Sequence, residues 1–390
     1  MNKKISLGLA LSLVAIASAV TFILTSFFTL QSFNKKIVDV NEKAKKYSAL
    51  QSLDAYVRDN YYGEINETEL NDGILKGYAS GLGDKYSRYL SRDEYIEELN
   101  SSQGNQVGLG LSLVEDESGY IRITDVLPDS PASDAEILPD DIIIAVNGED
   151  VITEGFEDSC NSMSGVDGTE IVLTVRRDGV DTDFRLVRRT IELVSVNSEM
   201  LSNYIGYVQI TSFKENTPEQ FIEALEKLTS NGARALIFDL RDNGGGNVDA
   251  LEECLDPLLP EGVIATAEYK DGHSETIVHS DESELDLPMV VIQNENTASA
   301  AELFSLSLKD FGKAEIVGMQ SFGKGVMQKV AELDNNGAVV LTVASCKTTV
   351  SDFYNGIGVT PDHIIKNESD SYDAQKNKAI EVAAICISEN

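Results

Sequence analysis

The sequence is poor in histidine, cysteine and proline, and each shortage excludes a class of protein. Its three histidines, His273, His279 and His363, lie in no H-E-x-x-H pattern, which excludes a zinc peptidase of that kind. The cysteines form no C-x-x-C pair, which excludes the usual zinc and redox spacings. Only 8 prolines and 29 glycines occur in 390 residues, which excludes fibrous and proline-rich classes. The four cysteines are Cys160, Cys254, Cys346 and Cys386.

Basic residues are also scarce. The chain has 31 Lys and Arg against 65 Asp and Glu, and a net charge of −34. So acidic a surface repels phosphate backbones, which excludes nucleic acid as a partner. Apolar residues make up 42 % and charged residues 25 %, as in ordinary globular proteins, and the length suggests two or three domains.

The N-terminal segment differs in charge from the rest. Residues 1–36 contain four lysines and no acidic residue, and no charge lies between Ile5 and Phe33. That run exceeds the ~20 apolar residues that cross a bilayer. Ala17-Ser18-Ala19 resembles a signal-peptidase site, but the apolar run continues past it, which favours an uncleaved anchor over a cleaved signal. We therefore expect a single-pass cell-membrane protein with an extracytoplasmic bulk, or a secreted protein if the signal is cleaved.

The exported bulk has 27 basic against 65 acidic residues and therefore carries −38. Export permits disulfides, but the separated cysteines are interpreted as buried free thiols. Residues 37–103 show helical periodicity. Residues 104–190 alternate short apolar runs with turn signals, beginning with a predicted strand over 107–113, which indicates a small β-rich domain. In residues 191–390 strands alternate with helices, which predicts a layered α/β domain.

Ser299 is the first candidate for chemistry. It follows a predicted buried strand and a polar turn, and it precedes a predicted helix with small neighbours that leave its hydroxyl accessible. Backbone N–H groups at the start of a helix stabilise developing negative charge. The alternative is a serine that only caps the helix.

Lys324 is the second candidate. Residues 318–324 match the start of a phosphate-binding loop, G-x-x-x-x-G-K, but Gly325 replaces the required hydroxyl and a hairpin strand, not a helix, is predicted to follow. A lysine flanked by glycines could instead enter an apolar pocket, where burial favours a neutral amine that acts as a base. Gln328, four residues on, would share its strand face and orient the amine. The alternative is a solvated loop lysine.

The third candidate is the glycine-rich segment 239–246, which leaves the end of a predicted buried strand. Three consecutive glycines let the backbone approach a ligand and aim N–H groups at it. Such a turn suits an oxyanion hole, although a plain strand-to-helix turn is equally compatible with it. Together the three segments supply a nucleophile, a base and oxyanion donors, as a Ser–Lys hydrolase requires.

These motifs make the sequence similar to the carboxyl-terminal processing peptidases, or tail-specific proteases, over roughly residues 50–390. The serine motif stands at residues 297–302, G-K-G-x-x-Q at 323–328, and L-R-x-N-x-G-G at 240–246. The family usually has proline at position 244, where this chain has glycine. The resemblance implies a crotonase- or ClpP-like layered α/β serine protease core with an N-terminal helical region and an inserted PDZ domain.

The resemblance also assigns roles to residues. Ser299 would be the nucleophile, Lys324 the general base, Gln328 the orienting residue, and the N–H groups of Gly245 and Ala300 the oxyanion donors. It implies no cofactor and no metal. The expected partners are proteins or peptides with accessible C-termini, the membrane through residues 1–36, and a second copy of the chain through the helical region.

The β-rich region resembles the PDZ domain of this family. The loop Gly108-Leu109-Gly110-Leu111 would bind a terminal carboxylate, and the next strand edge would add the peptide as a strand. Arg176 and Arg177 could assist or be ordinary surface residues. Glu136 and Asp140 stand where relatives usually have glycine, which adds negative charge near this domain.

We therefore expect a membrane-anchored serine endopeptidase that recognises substrate tails through its PDZ domain. The acidity of the chain favours neutral or basic tails over acidic ones. The alternatives are a non-catalytic PDZ scaffold and a nucleotide-binding protein.

Overall fold

The computed structural model describes Thr21, Thr25 and residues 45–367 and 371–389. Apart from the two threonines, the predicted anchor at residues 1–36 lies outside this described part of the chain. Among the helices that are described, none is both long and apolar enough to cross a membrane.

The chain divides into two compact units, Met1–Asn71 and Asp72–Asn390. In the first unit, α1 covers Ser48–Asn60. The next helix, α2 (Glu67–Ser80), begins in this unit at Glu67. Arg58 near the end of α1 forms an ion pair with the first residue of α2, which joins the two helices. No residue of α1 is buried.

In the second unit, a short strand and a helix precede the β-rich region. They are β1 (Arg88–Leu90) and α3 (Arg92–Ser102). The start of α3 is defined by Ser91 and Glu94, because each side chain accepts a hydrogen bond from the backbone N–H of the other.

The β-rich region is a small sheet domain. Five strands lie in the order β3-β4-β5-β7-β8, with β6 paired to β5. The core is formed by alternate residues of these strands, such as Ile121, Ile123 and Ile143, which are fully buried. The elements are β2 (Asn105–Gly108), β3 (Leu111–Glu115), β4 (Ile121–Val126), α4 (Pro131–Asp134), β5 (Ile142–Val146), β6 (Glu149–Asp150), α5 (Val151–Glu154), α6 (Phe156–Met163), β7 (Glu170–Arg177), β8 (Val180–Val187) and β9 (Arg189–Glu192).

The entry and exit strands of this region pair with each other. The β2–β9 ladder runs antiparallel from Asn105–Glu192 to Gly108–Arg189, so the region is an insertion in the surrounding domain. The single strand predicted over 107–113 was wrong in its extent, because the chain breaks between β2 and β3. Gly110 has φ 77°, a left-handed conformation that interrupts a strand and that glycine adopts readily.

The remaining chain forms the layered α/β core. Its main sheet has the order β10-β11-β12-β15-β16-β19, parallel except for the edge strand β10. Its elements are β10 (Val196–Leu201), β11 (Ile205–Ile210), α7 (Thr217–Ser230), β12 (Ala235–Asp239), α8 (Val248–Leu255), β13 (Gly262–Tyr269), β14 (Ser274–Ser280), β15 (Met289–Gln293), α9 (Ala300–Asp310), β16 (Ala314–Gly318), β17 (Val326–Glu332), β18 (Ala338–Thr348), β19 (His363–Ile364) and α10 (Ala374–Glu389).

Helices cover both faces of this sheet. Side chains such as Val208 and Phe238 pack with α7, α8 and α9 on one face. The alternate residues, such as Tyr207 and Ile237, pack against α10 on the other. Both faces are apolar, as in parallel sheets covered by helices on both sides. The predicted layered α/β core with an inserted β-rich domain is confirmed.

A second sheet, β1-β18-β13-β14 with β17 paired to β18, lies beside this core. The predicted β17–β18 hairpin is present, and no helix follows the Gly-Lys segment, as the phosphate-loop interpretation would need. All four cysteines are free; Cys254 and Cys346 are buried, and Cys160 and Cys386 are half-buried.

Candidate active site

Ser299 lies at a strained turn between β15 and α9. Its backbone has φ 58° and ψ −119°, a conformation that non-glycine residues rarely adopt. A residue that only caps a helix usually has an extended backbone. Strain of this kind is stable only where the surroundings hold it, and it occurs mainly at functional sites.

Glu302 holds this turn. It is fully buried on the first turn of α9, and one carboxylate oxygen, Oε2, accepts the N–H of Ser299 at 2.9 Å and the N–H of Lys324 at 2.7 Å. The other oxygen, Oε1, accepts the Ser321 hydroxyl at 2.5 Å and the Gly323 N–H at 2.6 Å. Charge-assisted bonds of this kind are stronger than neutral ones. One carboxylate therefore ties the Ser299 turn to the loop that carries Lys324.

Lys324 is half-buried in that loop. Burial lowers the pKa of its amine, and the positive charge of Arg88 lowers it further. The carboxylates of Glu302, Asp84 and Glu98 act in the opposite direction without reversing the shift. A lysine in this environment releases its proton more readily than a solvated one.

Gln328 lines the same cleft but contacts other groups. Its Nε2 donates to Thr342 Oγ1 at 3.3 Å. The prediction that it shares a strand face with Lys324 is wrong, because β17 begins only at Val326 and its register with β18 shifts between Met327 and Gln328. What the two residues share is the cleft.

The glycine turn lies directly against Ser299. A Cβ atom on Gly245 would come within 2.8 Å of the Ser299 Cβ and 2.9 Å of the Ala300 nitrogen, so only glycine fits. The Gly245 N–H donates to Asn243 Oδ1 at 2.8 Å, so it must leave that acceptor to bind an oxyanion. The structure thus brings the two predicted donors beside the serine, with one N–H already paired.

A buried polar network behind this turn was not predicted from the sequence. Arg241 makes ion pairs with Asp239 and Asp373, and the Tyr207 hydroxyl donates to Asp239 at 2.5 Å. Asp239 is fully buried. The network joins the end of β12, where the glycine-rich segment begins, to the start of α10. The available signal was an Asp and an Arg directly at the end of an apolar strand.

The candidate residues line one cleft of about 780 Å³. Ser299, Ala300, Lys324, Gln328 and Gly245 all lie on its wall. The wall also contains apolar and weakly polar groups, such as Leu303, Val326, Cys346 and Tyr354, and charged groups, which include Lys214. Burial raises the pKa of the Cys346 thiol to about 11, so this thiol stays protonated at neutral pH and is a poor nucleophile.

In the β-rich region, the predicted carboxylate loop lies between β2 and β3. The Leu109 carbonyl accepts the Ala132 N–H at 3.0 Å, and the Gly110 carbonyl accepts the Leu127 N–H at 2.9 Å. Leu111 begins β3, whose one partner among the described strands is β4. The other edge of β3 is thus available for an added strand.

The two arginines of β7 are engaged elsewhere. Arg176 pairs with Asp181 at 2.7 Å, and both side chains are exposed. Arg177 binds the buried carboxylate of Asp141 with two nitrogens and also the Glu136 carbonyl. Both arginines bind carboxylates of the β-rich region itself. This favours the interpretation of both as ordinary surface residues over a role in binding a terminal carboxylate.

Comparison with known proteins agrees with this architecture. Residues 204–365 match the family model for peptidase family S41, and residues 122–177 match that for a PDZ domain. The carboxy-terminal processing protease CtpA of Bacillus subtilis (strain 168) is 32 % identical over 351 residues, which are 90 % of this chain and 75 % of that protein. A probable CtpA-like serine protease of Staphylococcus aureus (strain MRSA252) is 27 % identical, over 88 % of this chain and 70 % of the relative.

A solved structure shares the fold. A putative S41 protease from Bacteroides fragilis NCTC 9343 superposes with a TM-score of 0.52 at 16 % identity, covering 83 % of this chain and 91 % of the other. That structure shows the shared fold, and the identity to the Bacillus subtilis relative shows the family. The chain belongs to peptidase family S41, as a serine-type peptidase of the carboxyl-terminal processing kind with a PDZ domain.

Proposed function

We propose that this peptidase uses a Ser299–Lys324 dyad to cleave proteins. The observation that carries the proposal is the Glu302 carboxylate, which accepts the N–H groups of both residues and so sets them on one cleft wall. The strained backbone of Ser299 and the lowered pKa of Lys324 support it independently.

The chemistry follows from these positions. The neutral Lys324 amine takes the Ser299 hydroxyl proton while the oxygen attacks the scissile carbonyl. The N–H groups of Gly245 and Ala300 stabilise the oxyanion, once Gly245 has released Asn243. Lys324 then gives its proton to the leaving amine, and afterwards it activates the water that releases the acyl group. Gln328, on the strand β17 that follows the Lys324 loop, would orient the amine.

The PDZ domain would select the substrates. The loop at residues 108–111 would bind a terminal carboxylate, and the free edge of β3 would pair with the tail as an added strand. We divide the chain into an anchor at 1–36, a helical region at 37–103, the PDZ domain at 104–190 and the protease core at 191–390. The anchor would hold the protease on the extracytoplasmic side of the membrane, and the helical region would form a homodimer.

The test is cleavage of casein and of tailed peptides by the full-length protein and its Ser299→Ala and Lys324→Ala variants. We expect both variants to lose at least about a thousandfold in rate, because the loss of one member of a catalytic unit reduces the rate nearly as much as the loss of all its members. Equal activity in all three proteins would contradict the dyad. A serine-reactive probe that never labels Ser299, with peptide binding intact, would favour the non-catalytic scaffold.

A further inference from the structure

The cleft wall that contains Ser299 carries more basic than acidic residues, although the chain as a whole is at −34. The basic residues are Arg88, Lys214, Lys324 and Lys329, and the acidic ones are Glu98 and Asp249. Lys214 follows Phe213, whose N–H donates to the Gly245 carbonyl at 2.9 Å. Lys214 is therefore one residue from the strand-like contact that holds the glycine turn. Since Gly245 touches Ser299, the Lys214 backbone lies close to the point of cleavage.

The Lys214 ammonium has unused bonding capacity. It is half-buried and donates to the Ser101 hydroxyl at 2.9 Å, and it makes no salt bridge within the described residues. An ammonium has three donors. Partial burial strengthens the attraction between this charge and an incoming anion.

The other basic residues on the cleft wall have a carboxylate or an aromatic ring as a partner; the ammonium of Lys324, for example, lies 4.9 Å from the centre of the Tyr86 ring. Arg88 donates to Glu98 at 3.0 Å. The ammonium of Lys329 lies 5.2 Å from the centre of the Tyr269 ring. Asp249, an acidic residue of the same wall, lies in the first turn of α8 and forms no salt bridge with Lys214 within the described residues. Lys214 is thus the basic residue of the cleft wall that has neither a carboxylate nor an aromatic ring as a partner within the described residues.

We propose that Lys214 is a specificity residue that binds a carboxylate of the substrate beside the scissile bond. This rests on the proposed function, because it needs the cleft to be the place of cleavage. The carboxylate has two sources, an Asp or Glu side chain of the substrate or its free C-terminus. For the cleft, this replaces the expectation from overall acidity that acidic substrates are disfavoured.

The first experiment scans glutamate through an otherwise neutral peptide, with glutamine at the same position as the matched control, using the full-length protein. We expect one position at which kcat/KM for glutamate exceeds that for glutamine by about tenfold, the size of a charge-assisted hydrogen bond. Peptides ending in a free acid or an amide separate the second source. If the C-terminus is the ligand, the acid is preferred and the scan is flat.

Variants then test the assignment to Lys214. Lys214→Met should reduce the preference to below about twofold, and Lys214→Arg should retain it, since both cations bind carboxylates. Ser101→Ala removes the hydrogen-bond partner and leaves the charge, so it should keep the preference. Lys329→Met is the matched control on the same cleft wall and should also keep it.

Two results would overturn the proposal. One is a preference that survives in Lys214→Met; the other is a wild-type protein that shows no preference for any carboxylate. A purely structural lysine gives the first of these results, because Lys214→Met then slows acidic and neutral peptides equally and leaves the preference unchanged. Failure of the proposed function looks different, because Ser299→Ala and Lys324→Ala would then cleave all these peptides.

Discussion

The proposed catalytic cleft and the proposed peptide-binding loop of the PDZ domain are held in place by different kinds of contact. In the cleft, a buried side chain, Glu302, accepts four hydrogen bonds that join two loops distant in sequence. In the PDZ domain, the carbonyls of Leu109 and Gly110 accept main-chain bonds, and φ above zero sets the turn. The cleft therefore depends on side-chain identity, and the loop depends on backbone conformation.

After the two dyad variants, the largest effect should follow Glu302→Gln. The amide keeps the shape of the carboxylate, which accepts two hydrogen bonds at each of its oxygens. Its NH₂ group replaces one of these oxygens and therefore faces two donors that it cannot accept. We expect kcat/KM to fall about a hundredfold, because a small misplacement of reacting groups has an effect of that size. Steady-state peptide cleavage measures it. Glu149→Gln, at an exposed carboxylate of β6, is the control, and equal rates in both variants would contradict the role of Glu302.

The next effect concerns the pH dependence of cleavage. In the proposed mechanism activity needs the neutral Lys324 amine, so it should rise with pH through the pKa of that amine. Arg88 lowers this pKa, so Arg88→Gln should raise it and move the acidic limb of kcat/KM to higher pH. Arg88→Lys keeps the charge and should leave the limb nearly unchanged. NMR titration of the lysine amine in the Ser299→Ala protein gives the same comparison without activity, and an unmoved limb and titration would contradict it.

A smaller effect is expected in the PDZ domain from Arg177→Met. Burial alone would raise the pKa of Asp141, but hydrogen bonds from Arg177 and from the Leu138 N–H lower it below the usual 3.8. A carboxylate with a lowered pKa stabilises the fold above its unfolded-state pKa, and this stabilisation is lost as the pH falls through the folded-state value. We expect Arg177→Met to lower the free energy of unfolding by about 1–2 kcal/mol at pH 7, since Arg177 is partly exposed.

Urea unfolding at pH 7 and at pH 3 measures this difference, which should shrink at the lower pH. Arg176→Met removes an exposed pair and is the matched control, with an expected change below about 0.5 kcal/mol. If Arg177 instead bound the substrate carboxylate, its variant would lose tail binding at unchanged stability.

The smallest effect comes from the backbone of the PDZ domain. Glu136 and Asp140 have φ 57° and 70°, a region that disfavours side chains with a Cβ. Glu136→Gly should raise the free energy of unfolding by about 0.5–1 kcal/mol, less than the full strain because glycine also gains freedom in the unfolded chain. Asp140→Gly should gain less, since aspartate tolerates this conformation better. A loss of stability in Glu136→Gly, measured by urea unfolding, would contradict the strain.

Local patterns predicted most of the elements. The buried strand before Ser299, the helix after it and the β17–β18 hairpin follow from apolar periodicity and turn residues, which act over a few positions. The strand over 107–113 failed because the break at Gly110 depends on a left-handed turn that an apolar pattern does not reveal. The face shared by Lys324 and Gln328 failed because a register shift in β17 is set by its partner strand.

The sequence by itself determined the layered α/β class, the PDZ insertion, the peptidase family and the candidate residues, since motifs and periodicity are local properties of the chain. Only the tertiary structure decided how Glu302 joins the Ser299 turn to the Lys324 loop, how Arg241 pairs with Asp373 beside α10, and that Lys214 lies on the cleft wall. These contacts link residues far apart in the chain. Their strength comes from burial, and burial exists only after the sheets and helices have packed.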